Sequence, residues 1–245
     1  MEYIWLTIPV LMFAGMVRGY SGFGFAAIAI VGMNMVLQPQ ESVAIILAID
    51  LLCSVSLWKT ALKQADYPTL KKLVMGAILG IPLGYSLLLL LPSEILKLLI
   101  CLFILLLSLL LFIEFKPFNT DKLSTKLGFG LASGIGTASA SVGGPMIVYY
   151  MISSRLSTSA QRATMILFFI ISESLSLLTL ICGGMVSNSV PKAILILLIP
   201  TLIAVRYGQM RFQRHPPQSL KSFALPVIII VSVLGIIKSS VTLLA

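Results

Sequence analysis

Charge is what this sequence has least of. Of its 245 residues only 8 are acidic and 17 basic, 10% in all, against roughly 25% in a soluble domain. With 58% of residues apolar and a mean hydropathy of +1.07, the chain cannot cover a water-facing surface, so a soluble globular fold is excluded. Histidine is scarce as well. His215 is the only one, beside Pro216 and Pro217 in a basic stretch, which removes the commonest general base and metal ligand. Cys53, Cys101 and Cys182 lie in three separate apolar runs without CxxC or CxxH spacing, so neither a zinc site nor a disulfide framework is expected. No metal or organic cofactor is called for. The start, Met1-Glu2-Tyr3, lacks the positive region of a signal peptide, so the first apolar stretch is expected to stay in the mature protein.

What the sequence does have is long apolar runs. Five read as membrane-spanning helices, about 43–58, 73–91, 95–115, 163–182 and 222–244, each apolar nearly all round as lipid and neighbouring helices require. A sixth, 191–206, is shorter. Pro92 with Ser93 and Glu94 separates the second from the third, because proline ends one helix and suits the first turn of the next. Two further stretches, 3–37 and 127–152, are apolar but interrupted. One is broken by Arg18-Gly19-Tyr20-Ser21-Gly22-Phe23-Gly24, the other between Gly134 and Pro145.

The net charge of +9 could suggest nucleic acid, but 13 of the 17 basic residues fall in four short connections, 59–72, 116–126, 153–162 and 206–221. Cytoplasmic loops retain lysine and arginine, so these are orientation signals. All four face the cytoplasm only if each interrupted stretch enters and leaves on one side, as a re-entrant hairpin or as two short crossings. Both termini then lie outside. The expected fold is all-α and polytopic. Residues 1–115 form a broken hairpin followed by three spans, 116–126 a cytoplasmic linker, and 127–245 the same order in the opposite orientation. Inverted repeats of this kind bring two discontinuous elements together near the bilayer midplane.

A helix break in hydrocarbon leaves backbone groups unpaired at several kcal/mol each, so protein, water or a ligand must satisfy them. The half-helix after the break presents free N–H groups and a positive dipole end, which suits an anion. The first break offers donors from about Ser21 to Phe25, through Gly22 and Gly24, with the Ser21 hydroxyl. The second offers Thr137, Ser139, Ser141, Gly143 and Gly144, with Pro145 opening the next half-helix. The competing reading is that these small residues permit close helix packing.

Arg18 abuts the first break. A guanidinium at that depth costs about 2.5–3.5 kcal/mol on insertion scales, so it faces a partner or a cavity. It could attract the substrate, pair structurally with Asp50 or Glu173, or snorkel to an interface. Asp50 and Glu173 are the acids well inside spans, open to ion pairing or to proton coupling. Arg162, at the mouth of a span, reads more readily as a lipid-headgroup contact than as an anion trap.

The stretches VRGYSGFGFAAIAI at 17–30, ADYPTLKKLVMGAILGIPLGY at 65–85, FGLASGIGTASASVGGPMIVYYM at 129–151 and RATMILFF at 162–169 resemble the TauE/SafE sulfite-exporter family of membrane permeases. The likeness covers nearly the whole chain and carries over most directly at Gly22, Gly24, Gly143, Gly144 and Pro145. It implies transport of small sulfur-containing anions such as sulfite, sulfoacetate or thiosulfate across a bacterial inner membrane. The expected partners are that anion and the lipid bilayer, not nucleic acid; homo-oligomerisation is left open. A passive anion channel would use the same residues. An intramembrane protease is the enzyme alternative, since Gly19-Tyr20-Ser21-Gly22 formally matches a GxSG pattern, but no base is well placed to activate the serine. The remaining alternative is a non-transporting assembly subunit.

Overall fold

A computed structural model describes residues 4–34, 36–92, 119–187 and 189–214, with isolated residues between 95 and 113 and between 226 and 236. The described residues form helices and no strands. Most of the spans expected at 95–115 and 222–244, with His215, Lys116 and Lys221, lie outside the described residues.

In chain order the helices are α1 (Ile8–Ser21), α2 (Phe25–Met33), α3 (Pro39–Ser56), α4 (Trp58–Gln64), α5 (Tyr67–Leu90), α6 (Leu123–Ala140), α7 (Gly144–Ser153), α8 (Thr158–Cys182) and α9 (Ser189–Arg214). Four are long and apolar enough to cross a membrane: α3, α5, α8 and most of α9. Their outward faces are apolar, with Leu79 64%, Leu195 71% and Ile199 66% exposed, while Arg18, Asp50 and Glu173 are buried. A water-soluble protein puts its charges the other way round.

Helix ends run past the apolar limits of the sequence. Lys59 and Lys63 lie on α4, Lys71 and Lys72 on α5, and Arg206, Arg211 and Arg214 on α9 rather than in loops. Lysine and arginine are good helix formers, and their long stems let a helix continue beyond hydrocarbon while the charged head stays in water. Caps fix two starts. The Asp66 carboxylate accepts from the Thr69 N–H at 3.0 Å with Pro68 in the first turn of α5, and Ser157 accepts from the Ala160 N–H at 3.3 Å at the start of α8.

At each interruption the chain doubles back. Gly32 of α2 lies against Val10 of α1, and Gly24 against Val17, so the two arms run antiparallel. Phe129 of α6 stacks on Tyr149 and Tyr150 of α7 at 5.9 and 5.6 Å, and Ser133 donates to the Gly143 carbonyl at 2.9 Å. The return arms have 9 and 10 residues, roughly 15 Å at the helical rise. They are too short for a hydrocarbon core of about 30 Å.

The first arm of each hairpin packs on a span from the other half of the chain. Gly15 and Gly19 of α1 meet the Thr201 and Val205 carbonyls of α9, while Gly208 meets the Met16 carbonyl of α1. Gly76, Gly80 and Gly84 of α5 meet the Leu127, Leu131 and Ile135 carbonyls of α6, and Gly130 and Gly134 of α6 meet Leu73 and Ala77. Residue numbers rise together in both pairs, so both are parallel, and no side chain would fit between the backbones. The sequence reading placed Gly134 in a break; it belongs to this helix contact instead. At the centre α3 packs on α8.

Candidate functional site

The breaks are narrower than the sequence suggested. In the first hairpin only Gly22, Phe23 and Gly24 leave the helix, and in the second only Ser141, Val142 and Gly143. Gly22 at φ 81° and Gly24 at φ 91° occupy the left-handed region, where a side chain costs about 1–2 kcal/mol. Gly22 ends α1 by donating its N–H to the Arg18 carbonyl at 2.8 Å. Ser141 takes the equivalent place in the second hairpin at φ 58°, donating to the Thr137 carbonyl at 2.8 Å. Gly24 precedes α2 and Gly143 precedes α7, and neither half-helix has a side-chain cap. The free donors of α2 therefore start at Phe25, Ala26 and Ala27, one turn later than the Ser21–Phe25 window expected.

Both half-helix starts border one small central cavity. Its walls include Gly24, Ala26 and Ala27 from the first hairpin and Thr137, Ser141, Gly143, Gly144 and Pro145 from the second. Arg18, Asp50, Phe169 and Glu173 complete it. Its volume is about 10 Å³, room for a single water.

Arg18 is 1% exposed and sits between two acids. Its Nε lies 3.2 Å from Asp50 Oδ1 and its Nη2 3.6 Å from Glu173 Oε1. Nη2 also donates to the Ser54 hydroxyl, which lies 2.8 Å from the Asp50 carbonyl and 3.3 Å from Glu173 Oε2. The guanidinium rests 4.6 Å from the centre of the Phe169 ring, where the ring's negative face attracts it. Arg18 is thus both paired with the acids and part of the cavity wall. It does not snorkel.

The remaining residues expected at the site divide. The Thr137 hydroxyl donates to the Ser133 carbonyl at 2.8 Å, leaving lone pairs but no proton for an anion. The Ser141 hydroxyl is buried and has no hydrogen-bond partner. Two hydroxyls are used elsewhere: Ser21 closes its own turn through Val17 and Phe23, and Ser139 bonds Ile135 and lines a separate apolar groove beside Leu87 and Phe103. Gly22 stands behind the cavity, where an added Cβ would lie 2.7 Å from the Arg162 stem.

Arg162 is buried rather than at a lipid interface. It donates to the Gly19 carbonyl at 2.7 Å and lies 4.3 Å from the Phe212 ring centre, a cation at the negative end of α1. Three participants escaped the sequence reading: Ser54, Phe169 and Arg162 in this role. The first two carried a signal, since Ser54 lies one helical turn after Asp50 and Phe169 one turn before Glu173. Among the described residues no cluster of histidine, cysteine and carboxylate could hold a metal.

A polytopic helical bundle with two facing interrupted hairpins and a buried charged cluster has the construction of a membrane transporter. The family model described as sulfite exporter TauE/SafE matches residues 7–234. The chain belongs to that transporter family, and it is a multi-pass membrane protein. No curated protein and no solved structure matches it.

Proposed function

We propose that the protein is a carrier for small sulfur-containing anions, of which sulfite, a sulfonate such as sulfoacetate, and thiosulfate are the candidates. The anion binds where the two hairpin breaks meet. Arg18 supplies the attracting charge, the starts of α2 and α7 supply backbone donors, and Ser141 supplies a free hydroxyl. The observation that carries this reading is the placement of one buried arginine and both half-helix starts around one cavity. Residues 1–115 and 127–245 act as two inverted repeats joined by 116–126, in a bacterial inner membrane, with both termini outside. Support for the repeats comes from the matching contacts, α1 on α9 and α5 on α6.

A channel reading has to contend with the size of the cavity. About 10 Å³ is too little for an oxoanion of several heavy atoms, so the walls must part for it to enter. Opening around an enclosed site fits a carrier, and saturable rather than conductive flux is what separates it from a gated channel.

The test is flux in liposomes. The wild-type protein is expected to take up sulfite with saturation kinetics. Arg18→Ala is expected to lose that uptake and Arg18→Lys to retain part of it. Normal sulfite uptake by the alanine variant would remove Arg18 from the site.

A further inference from the structure

We propose that Arg162 is a second anion-binding residue, a waiting position for the transported oxoanion on the far side of the first hairpin from the central cavity. This rests on the carrier reading above and adds a separate step to the anion's route.

Arg162 is a buried cation without a counter-ion. It is 6% exposed, and among the described residues both arginine–carboxylate pairs belong to Arg18. The charged group that bears on Arg162 is Arg18 itself, a second cation. An unpaired guanidinium is costly at membrane depth, and the groups that hold this one offset the cost only in part. Its Nη2 donates to the Gly19 carbonyl at 2.7 Å, and the Phe212 ring centre lies 4.3 Å from the guanidinium carbon. Its Nε is buried with no hydrogen-bond partner. Nε and Nη2 share one edge of the guanidinium, and such an edge grips two oxygens of an oxoanion at once. Here one donor of that edge meets a neutral carbonyl and the other meets no acceptor, a donor set better matched to an anion than to the group it now holds.

Its place in the fold says where that anion comes from. Arg162 does not line the cavity; its stem lies behind Gly22, where an added Cβ would meet it at 2.7 Å. Glu173, which does line the cavity, lies three turns further along α8, roughly 16 Å at the helical rise. The helix α8 therefore flanks the tip of the first hairpin, with the cavity at one level and Arg162 at another. Beyond Arg162, Phe212 sits between the exposed Arg211 and Arg214 in the last turn of α9, a cationic end that draws anions. An anion moving between the cavity and that end passes the tip that Arg162 ties down. When it takes the Nε–Nη2 edge, the Gly19 carbonyl gives way and the tip of α1 is released from α8. Binding the anion and opening that side are then one event.

The experiment uses the full chain in nanodiscs of zwitterionic phosphatidylcholine, with Cys53, Cys101 and Cys182 replaced by alanine and one reporter thiol added. The reporter is Phe212→Cys beside Arg162 or, in a second protein, Ser141→Cys at the cavity. The probe is sulfoacetate, and the readout is the rate of labelling by a small neutral thiosulfonate reagent. Sulfoacetate is expected to slow labelling at least fivefold at both positions. Glutamine keeps a donor for the Gly19 carbonyl but no charge, so Arg162→Gln is expected to abolish protection at position 212 and leave it at 141, while Arg162→Lys keeps part of it at 212. Tyr20→Cys, at a ring packed edge-on against Phe212 at 6.1 Å, serves as the reporter if Phe212→Cys does not fold. Protection at 141 alone would overturn the second position and leave the carrier reading standing. No protection at either would overturn the anion site of the carrier reading itself. Protection at 212 that survives Arg162→Gln, that falls together with protection at 141, or that lysine restores no better than glutamine would remove Arg162 from the role. Slow labelling at 212 produced by anionic phosphatidylglycerol without sulfoacetate would assign the oxoanion to a lipid headgroup and overturn the waiting position.

Discussion

The two hairpins share a scaffold and differ in chemistry. Each has a long arm packed in parallel on a span of the other half, a three-residue break with a left-handed residue, and a short returning half-helix. The first carries Arg18 at its tip and needs Asp50, Glu173, Ser54 and Phe169 to hold that charge, with Arg162 behind it on the Gly19 carbonyl. The second brings no charge to the cavity, only Thr137, the unpartnered Ser141 and tightly packed glycine. Symmetry in the backbone thus builds the place, and asymmetry in the side chains gives it a sign. The cationic side chain at the cavity belongs to the first hairpin; the second contributes hydroxyls and backbone.

The largest break in that comparison is expected at Arg18. Arg18→Ala should reduce sulfite flux by about 100-fold and also destabilise the fold by about 3–5 kcal/mol, because two buried carboxylates lose their counter-charge. Thermal unfolding in detergent measures the second effect, and flux per folded molecule separates it from the first. Arg162→Ala comes next. Removing a charged donor from the Gly19 carbonyl and from the Phe212 ring should cost about 1.5–3 kcal/mol in unfolding free energy.

Glycine substitutions sharpen the contrast. Gly22→Ala should cost about 1–2 kcal/mol from its backbone angle, with a further cost from the Arg162 stem 2.7 Å away. A glycine change at the start of the second half-helix should be mild. At Gly144 the nearest atom to an added Cβ is on the Phe169 ring at 3.6 Å, ordinary contact, so Gly144→Ala should stay within about 0.5 kcal/mol of wild type. Side-by-side melting curves of the two variants test the difference. The smallest stability effect is expected for Ser141→Ala, whose hydroxyl has no partner to lose. Its mark should instead be a rise of roughly fivefold in the KM for sulfite, about one hydrogen bond.

The sequence disclosed the interruptions, the buried Arg18 and its two acids, because each violates the apolar pattern around it. Composition alone pointed to the membrane class, and putting all basic connections on one side led to interrupted stretches that enter and leave together, as re-entrant hairpins or as two short crossings. It did not disclose where the helices resume. Gly134 and Gly136 look like break residues in the sequence, yet both are helical, since close approach to another backbone needs glycine as much as a turn does. Ser21 and Ser139 look like ligands by type, but a hydroxyl three or four residues from a helical carbonyl readily bonds it. Arg162 was misplaced because its partners, Gly19 and Phe212, are 143 and 50 positions away and no local pattern links them.

The measurement that bears most directly on a shared site is protection of a cysteine at position 141 by sulfoacetate, a sulfonate that does not itself react with thiol reagents. With Cys53, Cys101 and Cys182 replaced by alanine, Ser141→Cys puts a thiol in the uncharged break, on the wall of the cavity that Arg18 also lines. Reaction with a small thiosulfonate reagent is expected to slow at least tenfold when sulfoacetate is present, and the protection to vanish when Arg18→Ala is added. Labelling at the same rate with and without sulfoacetate would contradict a common anion site for the two hairpins.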